Sequence, residues 1–287
     1  MKKAIFILAF LSLPVLSLEQ FITKDFFETQ INWSSMKITS TVTETIPTVV
    51  FDHKDQRFGK RSTALNLTAA RNKSLGLAKE KLSVNLFTAI ENMKIDSYTS
   101  MLDRIKNNER FREKFNRIFE TSENEFSFRI IDNKIQAESS ITFTGKTGLL
   151  NFLDINFNSE PFPEFPAIPS PSKYSGLIVD ARHLAGVPSL FPRITTDRGI
   201  EIYSPELVSR NYAIDTGMAS FQTDPIMAKH NSRAGINPYY IVALSVTGKD
   251  KTDFSIPTED AMRIFASKDS VQNLKKCRVI ILLKKQP

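Results

Sequence analysis

A carboxylate, a guanidinium and an imidazole follow one another at the end of a single apolar run. Gly176-Leu177-Ile178-Val179-Asp180 reads as a buried strand, and Arg182 and His183 come directly after it. The ends of buried strands are where catalytic and binding groups collect. A cleft after Asp180, holding Arg182 and His183, would suit hydrolysis or capture of a small ligand. The alternative reading is structural: Asp180 and Arg182 form an ion pair that fixes the next loop, and His183 is a polar turn residue. Asp215 and Asp224 are further carboxylates that could do similar work.

The other chemistry-bearing residues are sparse. Histidine occurs at His53, His183 and His230, with no second histidine or cysteine at a metal-binding spacing such as HExxH or CxxC. No Gly-x-Ser-x-Gly elbow strains a serine into a nucleophile, and no glycine-rich loop is present to cradle phosphate. Cys277 precedes an apolar strand and is read as a small buried residue, although neighbouring lysines could depress its thiol pKa. No catalytic residue, metal or cofactor is therefore expected, and the chain reads as a non-enzyme.

The elements that position these residues follow from hydrophobic period. A Thr-rich alternating stretch ending at Val49, Val50 and Phe51 predicts extended structure over 18–61, with Pro47 placing its end on an edge strand. Leu75, Ala78, Leu82, Leu86, Ile90 and Met93 form a stripe that predicts a helix of about 30 residues from Ser62. A shorter helix puts Phe111, Phe115, Ile118 and Phe119 on one face. Phe126, Phe128 and Ile130 alternate, Asp132-Asn133 supply a turn, and Ile135 to Phe143 resume the alternation, which predicts a β-hairpin. These make a helix-helix-hairpin domain over 62–155.

Five prolines between Pro161 and Pro171 predict a stiff connector over 156–172. Beyond it, over 173–287, the strand ending at Asp180 is joined by a hairpin turning at Asp197-Arg198-Gly199. An apolar strand from Tyr239 to Val246 follows, then a helix capped by Thr258, and a closing strand from Arg278 to Leu283. The expected fold class is α+β (α/β-type), with a two-layer or three-layer α/β C-terminal domain over one sheet.

The first residues carry a different signal. Lys2 and Lys3, the apolar run Ala4 to Leu11 and a small residue at Ser17 predict a cleaved signal peptide over 1–17, so the protein is expected to be exported, periplasmic or outer-membrane-associated. No cysteine stands just after that point to bear a lipid, since Cys277 lies near the other end, and a single cysteine forms no intramolecular disulfide. The formal charge of +7 falls to +5 once Lys2 and Lys3 leave. Basic residues cluster at 54–61 and from Arg104 to Arg117, which suits peripheral membrane contact or an anionic polymer, but Glu109, Glu113 and Glu120 interleave the second cluster. Nucleic acid is not an expected partner.

The order of motifs resembles the twenty-kilodalton lipoprotein family of bacterial envelopes, whose relatives include a flagellar basal-disk protein. The residues that carry the likeness run from Ile90-Glu91-Asn92-Met93 through Thr144-Gly145-Lys146-Thr147-Gly148-Leu149. The second half, with Ser175 to Arg182, Phe191-Pro192-Arg193-Ile194 and Cys277-Arg278-Val279-Ile280, is similar to an extension beside that domain in some members. The resemblance implies an accessory protein that assembles with other envelope or flagellar proteins. The surfaces expected to do so are Phe162 and Phe165 of the connector and the edge around Val49 and Phe51. A secreted factor binding an anionic polymer is a further reading, and no oligomeric state is set.

Overall fold

The computed structural model describes residues 20–25, 28–50, 63–121 and 125–285, the side chains of 117–121 excepted. The expected leader, Phe51 and the basic cluster at 54–61 lie outside the described residues. The protein has an α+β fold with two regions.

In the first region, β1 (Ile22–Asp25), β2 (Thr29–Asn32), β3 (Lys37–Thr45), β4 (Glu125–Ile131) and β5 (Lys134–Thr142) form an antiparallel sheet of order β1-β2-β3-β5-β4. The β4-β5 turn falls at Asp132 and Asn133, both at positive φ, the backbone that a tight hairpin demands. The strand stretch closes on β3, which is central rather than an edge. Pro47 to Val50 are not a strand. Instead Asn66 holds this segment: its Nδ2 donates to the Thr48 carbonyl at 2.8 Å and its Oδ1 accepts from the Val50 N–H at 2.8 Å.

Helix α1 (Ala64–Glu91) lies across β3 and β5 and buries Asn66, Ala70, Ser74, Ala78, Leu82, Leu86 and Ile90. A strict spacing of four advances about 40° around a helix with each step. The buried stripe therefore spirals. Its early part packs with Val42, Ile46, Ile135 and Ala137 of the sheet, and its end joins the core of the second region. Small side chains at the start let the helix sit close, and Ser74 satisfies its hydroxyl on the Thr45 carbonyl at 3.1 Å.

The expected second helix is α3 (Glu109–Thr121), with Phe111 and Phe115 buried. A further helix, α2 (Met101–Asn107), precedes it, started by a reciprocal Ser100–Asp103 cap. The break between them is at Asn108, whose side chain accepts from the Phe111 N–H at 2.9 Å. A short turn of helix, α4 (Leu149–Phe152), ends the region.

The second region contains two sheets where the sequence suggested one. Strands β6 (Leu177–Asp180), β9 (Ser220–Gln222), β10 (Tyr239–Val242) and β13 (Val279–Leu282) make a parallel sheet of order β10-β6-β13-β9. Strands β7 (Ile194–Thr196), β8 (Glu201–Tyr203), β11 (Ser245–Thr247) and β12 (Asp253–Ile256) make a mixed sheet of order β11-β12-β7-β8. The single strand expected from Tyr239 to Val246 is cut at Ala243 and Leu244, so its two pieces serve different sheets. Helices α5 (Arg210–Thr216), α6 (Pro225–Lys229), α7 (Thr258–Phe265) and α8 (Lys268–Lys275) complete the region. Thr258 is the first helical residue rather than the cap, and its hydroxyl and N–H both donate to Asp197.

The proline-rich segment is a strap along the second region, not a spacer. Asn158 and Glu160 donate their N–H groups to the carbonyls of Pro205 and Glu206, and the rings of Phe162 and Phe165 sit 5.8 and 5.0 Å from that of Phe265. One continuous core runs from Phe21 and Trp33 through Leu86 and Phe143 to Leu283. Trp33 is its link, meeting Phe143 at 5.9 Å on one side and Phe221 at 5.8 Å on the other.

Candidate functional site

Asp180 ends β6 in the middle of the parallel sheet, so its backbone is fixed on both sides by β10 and β13. Arg182 forms a fork on it, with Nε donating at 2.9 Å and Nη2 at 2.6 Å, while the Arg182 N–H donates at 3.1 Å. The Tyr240 hydroxyl, one strand away, donates to the second carboxylate oxygen at 2.5 Å. Burial alone would raise the Asp180 pKa, but the Arg182 and Tyr240 bonds outweigh it and bring it down to about 2. Burial and the same bond push Tyr240 up to about 12. The carboxylate is thus ionised and its lone pairs are engaged, which is the arrangement of a loop clamp and a poor one for a general base.

His183 does not join this cluster. It is exposed in the turn that follows, so of the three residues read together from the sequence the structure unites Asp180 and Arg182 and adds Tyr240. Tyr240 was legible only as a strand residue, because its partnership depends on β10 pairing in register with β6.

The Asp180 carboxylate stabilises the fold above its unfolded pKa, near 4, and loses that contribution as pH falls toward 2. Asp180→Asn is expected to cost about 1–2 kcal/mol at neutral pH and to shrink to nothing at the acid end, as urea midpoints across a pH series would show.

A second cluster joins residues far apart in the sequence. Arg193 reaches Glu201 at 2.7 Å and Glu206 at 2.8 Å, and its N–H donates to Asp253 at 3.0 Å. Burial by itself lowers the Arg193 pKa, and the bonds to Glu206 and Glu201 more than restore it. Burial raises Asp253. This cluster borders grooves of about 430 and 210 Å³ shared with Asp96 of the first region. Both ends of the guanidinium are committed to carboxylates of the second region, so it pins the β7-β8 hairpin to the loop that carries Glu206.

Cys277 is buried, as its apolar setting in the sequence suggested, and burial pushes its thiol up to about 11 rather than letting the neighbouring lysines depress it. Of the second basic cluster, Arg112 pairs with Glu109 at 3.0 Å and Arg104 donates to the Asp154 carbonyl at 2.8 Å. No group of three or more His, Cys, Asp or Glu side chains among the described residues is arranged to hold a metal ion. No helix among them is long and apolar enough to cross a membrane.

The expected interaction residues fall as follows. Phe162 and Phe165 are half-buried against Phe265, which engages both rings within the chain. Val49 is half-buried beside α1, and Phe51 lies outside the described residues. The exposed apolar edge is elsewhere, on β4. That strand has one neighbour, β5, in an unbroken seven-residue register, and its other side meets no strand among the described residues. Phe128, Ile130 and Ile131 are 49%, 44% and 40% exposed. Helix α1 covers β3 and β5 and meets β4 at Phe126, where Lys79 lies 4.9 Å over the ring, leaving Phe128 and Ile130 about half exposed. The alternation of Phe126, Phe128 and Ile130 was visible in the sequence; what it could not show is that this face is only partly covered.

The parallel sheet, with Asp180 at its centre, lies within a region that has a counterpart elsewhere. Residues 176–285 match the second domain of Treponema pallidum Tp0624. The match begins at the glycine before β6 and runs past β13, so it takes in both sheets of the second region and none of β1 to β5. No curated protein matches the chain. The Tp0624-like region is thus the scaffold that holds the Asp180 clamp and the Arg193 cluster, whereas the β4 edge belongs to the part the match leaves out.

Proposed function

We propose that this protein is a non-catalytic accessory component of a bacterial cell envelope, exported to the periplasm, that works by assembling with other envelope proteins through the edge of β4. The observation that carries the reading is the β4 edge itself. It offers unpaired backbone along seven residues together with Phe128, Ile130 and Ile131, and it has no proline, bulge or inward charge of the kind that normally blunts an edge. Its partner is an extended segment that adds as a further strand, with main-chain bonds giving affinity and the apolar side chains giving register. The signal-like start and the resemblance to envelope lipoproteins with a flagellar relative support the compartment, and the flagellar apparatus is the assembly that resemblance favours.

The reading is tested by affinity capture from intact cells after crosslinking, comparing the native chain with Phe128→Glu/Ile130→Glu. Both side chains are already half exposed, so the fold is expected to survive with a cost of about 1 kcal/mol or less. Envelope or flagellar proteins recovered with the native chain are expected to fall at least tenfold with the variant. Equal recovery with both chains would rule out β4 as the assembly surface.

A further inference from the structure

The β9 and β13 ends that start the parallel sheet carry a recess of a different character. It has a volume of about 400 Å³ and is lined by Arg233, Lys276 and Arg278 together with Ser232, Thr216 and Tyr212. No carboxylate lines it, and none of the three cations forms an ion pair among the described residues. Arg233 is instead held by backbone: Nε donates to the Cys277 carbonyl at 3.0 Å, Nη1 to Thr216 at 2.7 Å and Nη2 to Gly217. Carbonyl dipoles position this guanidinium without cancelling its charge. Concentrated, unneutralised positive charge in a concavity draws anions.

Beside the recess stands an aliphatic residue that nothing covers. Ile236 is 102% exposed, the highest value among the exposed large apolar residues. It is not on a loose loop. The Ala234 N–H donates to Asn231 at 3.0 Å, the Ser175 hydroxyl donates to the Ala234 carbonyl at 2.6 Å, and Asn237 donates to Ser175 Oγ at 2.9 Å and to the Lys173 carbonyl at 2.8 Å. Gly235, at φ +76°, stands next to the Arg278 guanidinium, a Cβ there falling 3.7 Å from Nη1, so the exposed Ile236 follows directly on a residue that flanks the basic recess.

We propose that this recess binds the phosphate of an anionic lipid headgroup while Ile236 enters the adjoining apolar layer, giving the protein a peripheral membrane contact on the face formed by the starts of β9 and β13. A free phosphate would use the cations and leave Ile236 without a role. A lipid uses both, because it presents its phosphate and its apolar chains next to one another. The formal charge of +5 that remains without Lys2 and Lys3 favours approach to such a surface. This contact is independent of the β4 edge.

The test is co-sedimentation of the purified protein with vesicles of equal parts phosphatidylglycerol and phosphatidylcholine, beside vesicles of phosphatidylcholine alone, with inorganic pyrophosphate as a soluble anion. Lys276→Gln/Arg278→Gln is expected to weaken binding to the anionic vesicles on the order of tenfold, since each basic residue near such a surface contributes comparably. Ile236→Ser, at a fully exposed position, is expected to weaken vesicle binding while leaving any pyrophosphate binding unchanged. Arg233 is left intact because it ties three carbonyls together. Vesicle binding that ignores both variants, or no vesicle binding at all, would overturn the proposal. So would cation-dependent pyrophosphate binding without vesicle binding, which would assign the recess to a soluble phosphate.

Discussion

Trp33→Ala is expected to destabilise the whole chain by about 3–5 kcal/mol, the usual cost of removing a large buried aromatic. Trp33 is 3% exposed, and its ring meets Phe143 of the first region and Phe221 of the second edge-on. Its indole N–H donates to Thr23 at 3.0 Å, its N–H to the Phe21 carbonyl, and its carbonyl accepts from Phe221. The cavity left behind would border both regions, and neither can collapse into it without moving the other. Thermal unfolding followed by far-UV circular dichroism should therefore show one transition shifted down by about 10 °C, rather than the loss of one region alone. In the native chain, fluorescence of this single tryptophan and circular dichroism should change together along a urea titration. Two separated transitions would mean that the shared core does not couple the regions.

Gly248→Ala is the second large effect, at about 3 kcal/mol. Gly248 has φ +81°, which an alanine adopts only with strain, and a Cβ there would fall 2.2 Å from both Cβ and Oγ of Ser97. Ser97 cannot swing away freely. It is buried, and its hydroxyl is bonded to Thr252 at 2.8 Å and donates to the Thr247 carbonyl at 3.3 Å, while its own carbonyl accepts from Asp250 at 3.0 Å. The neighbouring Lys94–Asp250 ion pair at 3.0 Å spans the same joint. Adding Ser97→Gly to Gly248→Ala removes the collision but keeps the backbone strain, so the double variant is expected to regain part of the loss. That non-additivity in urea midpoints is the measurement. Simple additivity would show that Ser97 and Gly248 do not touch.

The fold was legible where one element satisfies itself. The hairpin at Asp132-Asn133, the buried strand ending at Asp180 and the long α1 follow from local period and turn chemistry, and each is found. Pairing across the chain was not legible. The stripe read from the sequence began at Leu75 and left out Asn66 and Ser74, yet each is buried against a backbone group of the segment that follows β3 or ends it. The prolines near 161–171 read as a spacer because proline stiffens a chain; that stiffness serves a strap when Phe265 is there to receive Phe162 and Phe165. At the candidate site, the Asp180–Arg182 pair was visible at a separation of two residues. Tyr240 and the Arg193 cluster, built from partners up to 60 residues apart, were not.

The proposed assembly rests on one exposed feature, the β4 edge, and site-specific photocrosslinking reaches it most directly. A photoreactive amino acid placed at Ile130, and for comparison at the exposed Leu67 of α1, would be irradiated in intact cells. The account predicts a discrete higher-mass adduct from position 130 that contains an envelope protein, with little from position 67. Adducts from position 67 alone, or none from position 130 in cells where the protein is present, would contradict it.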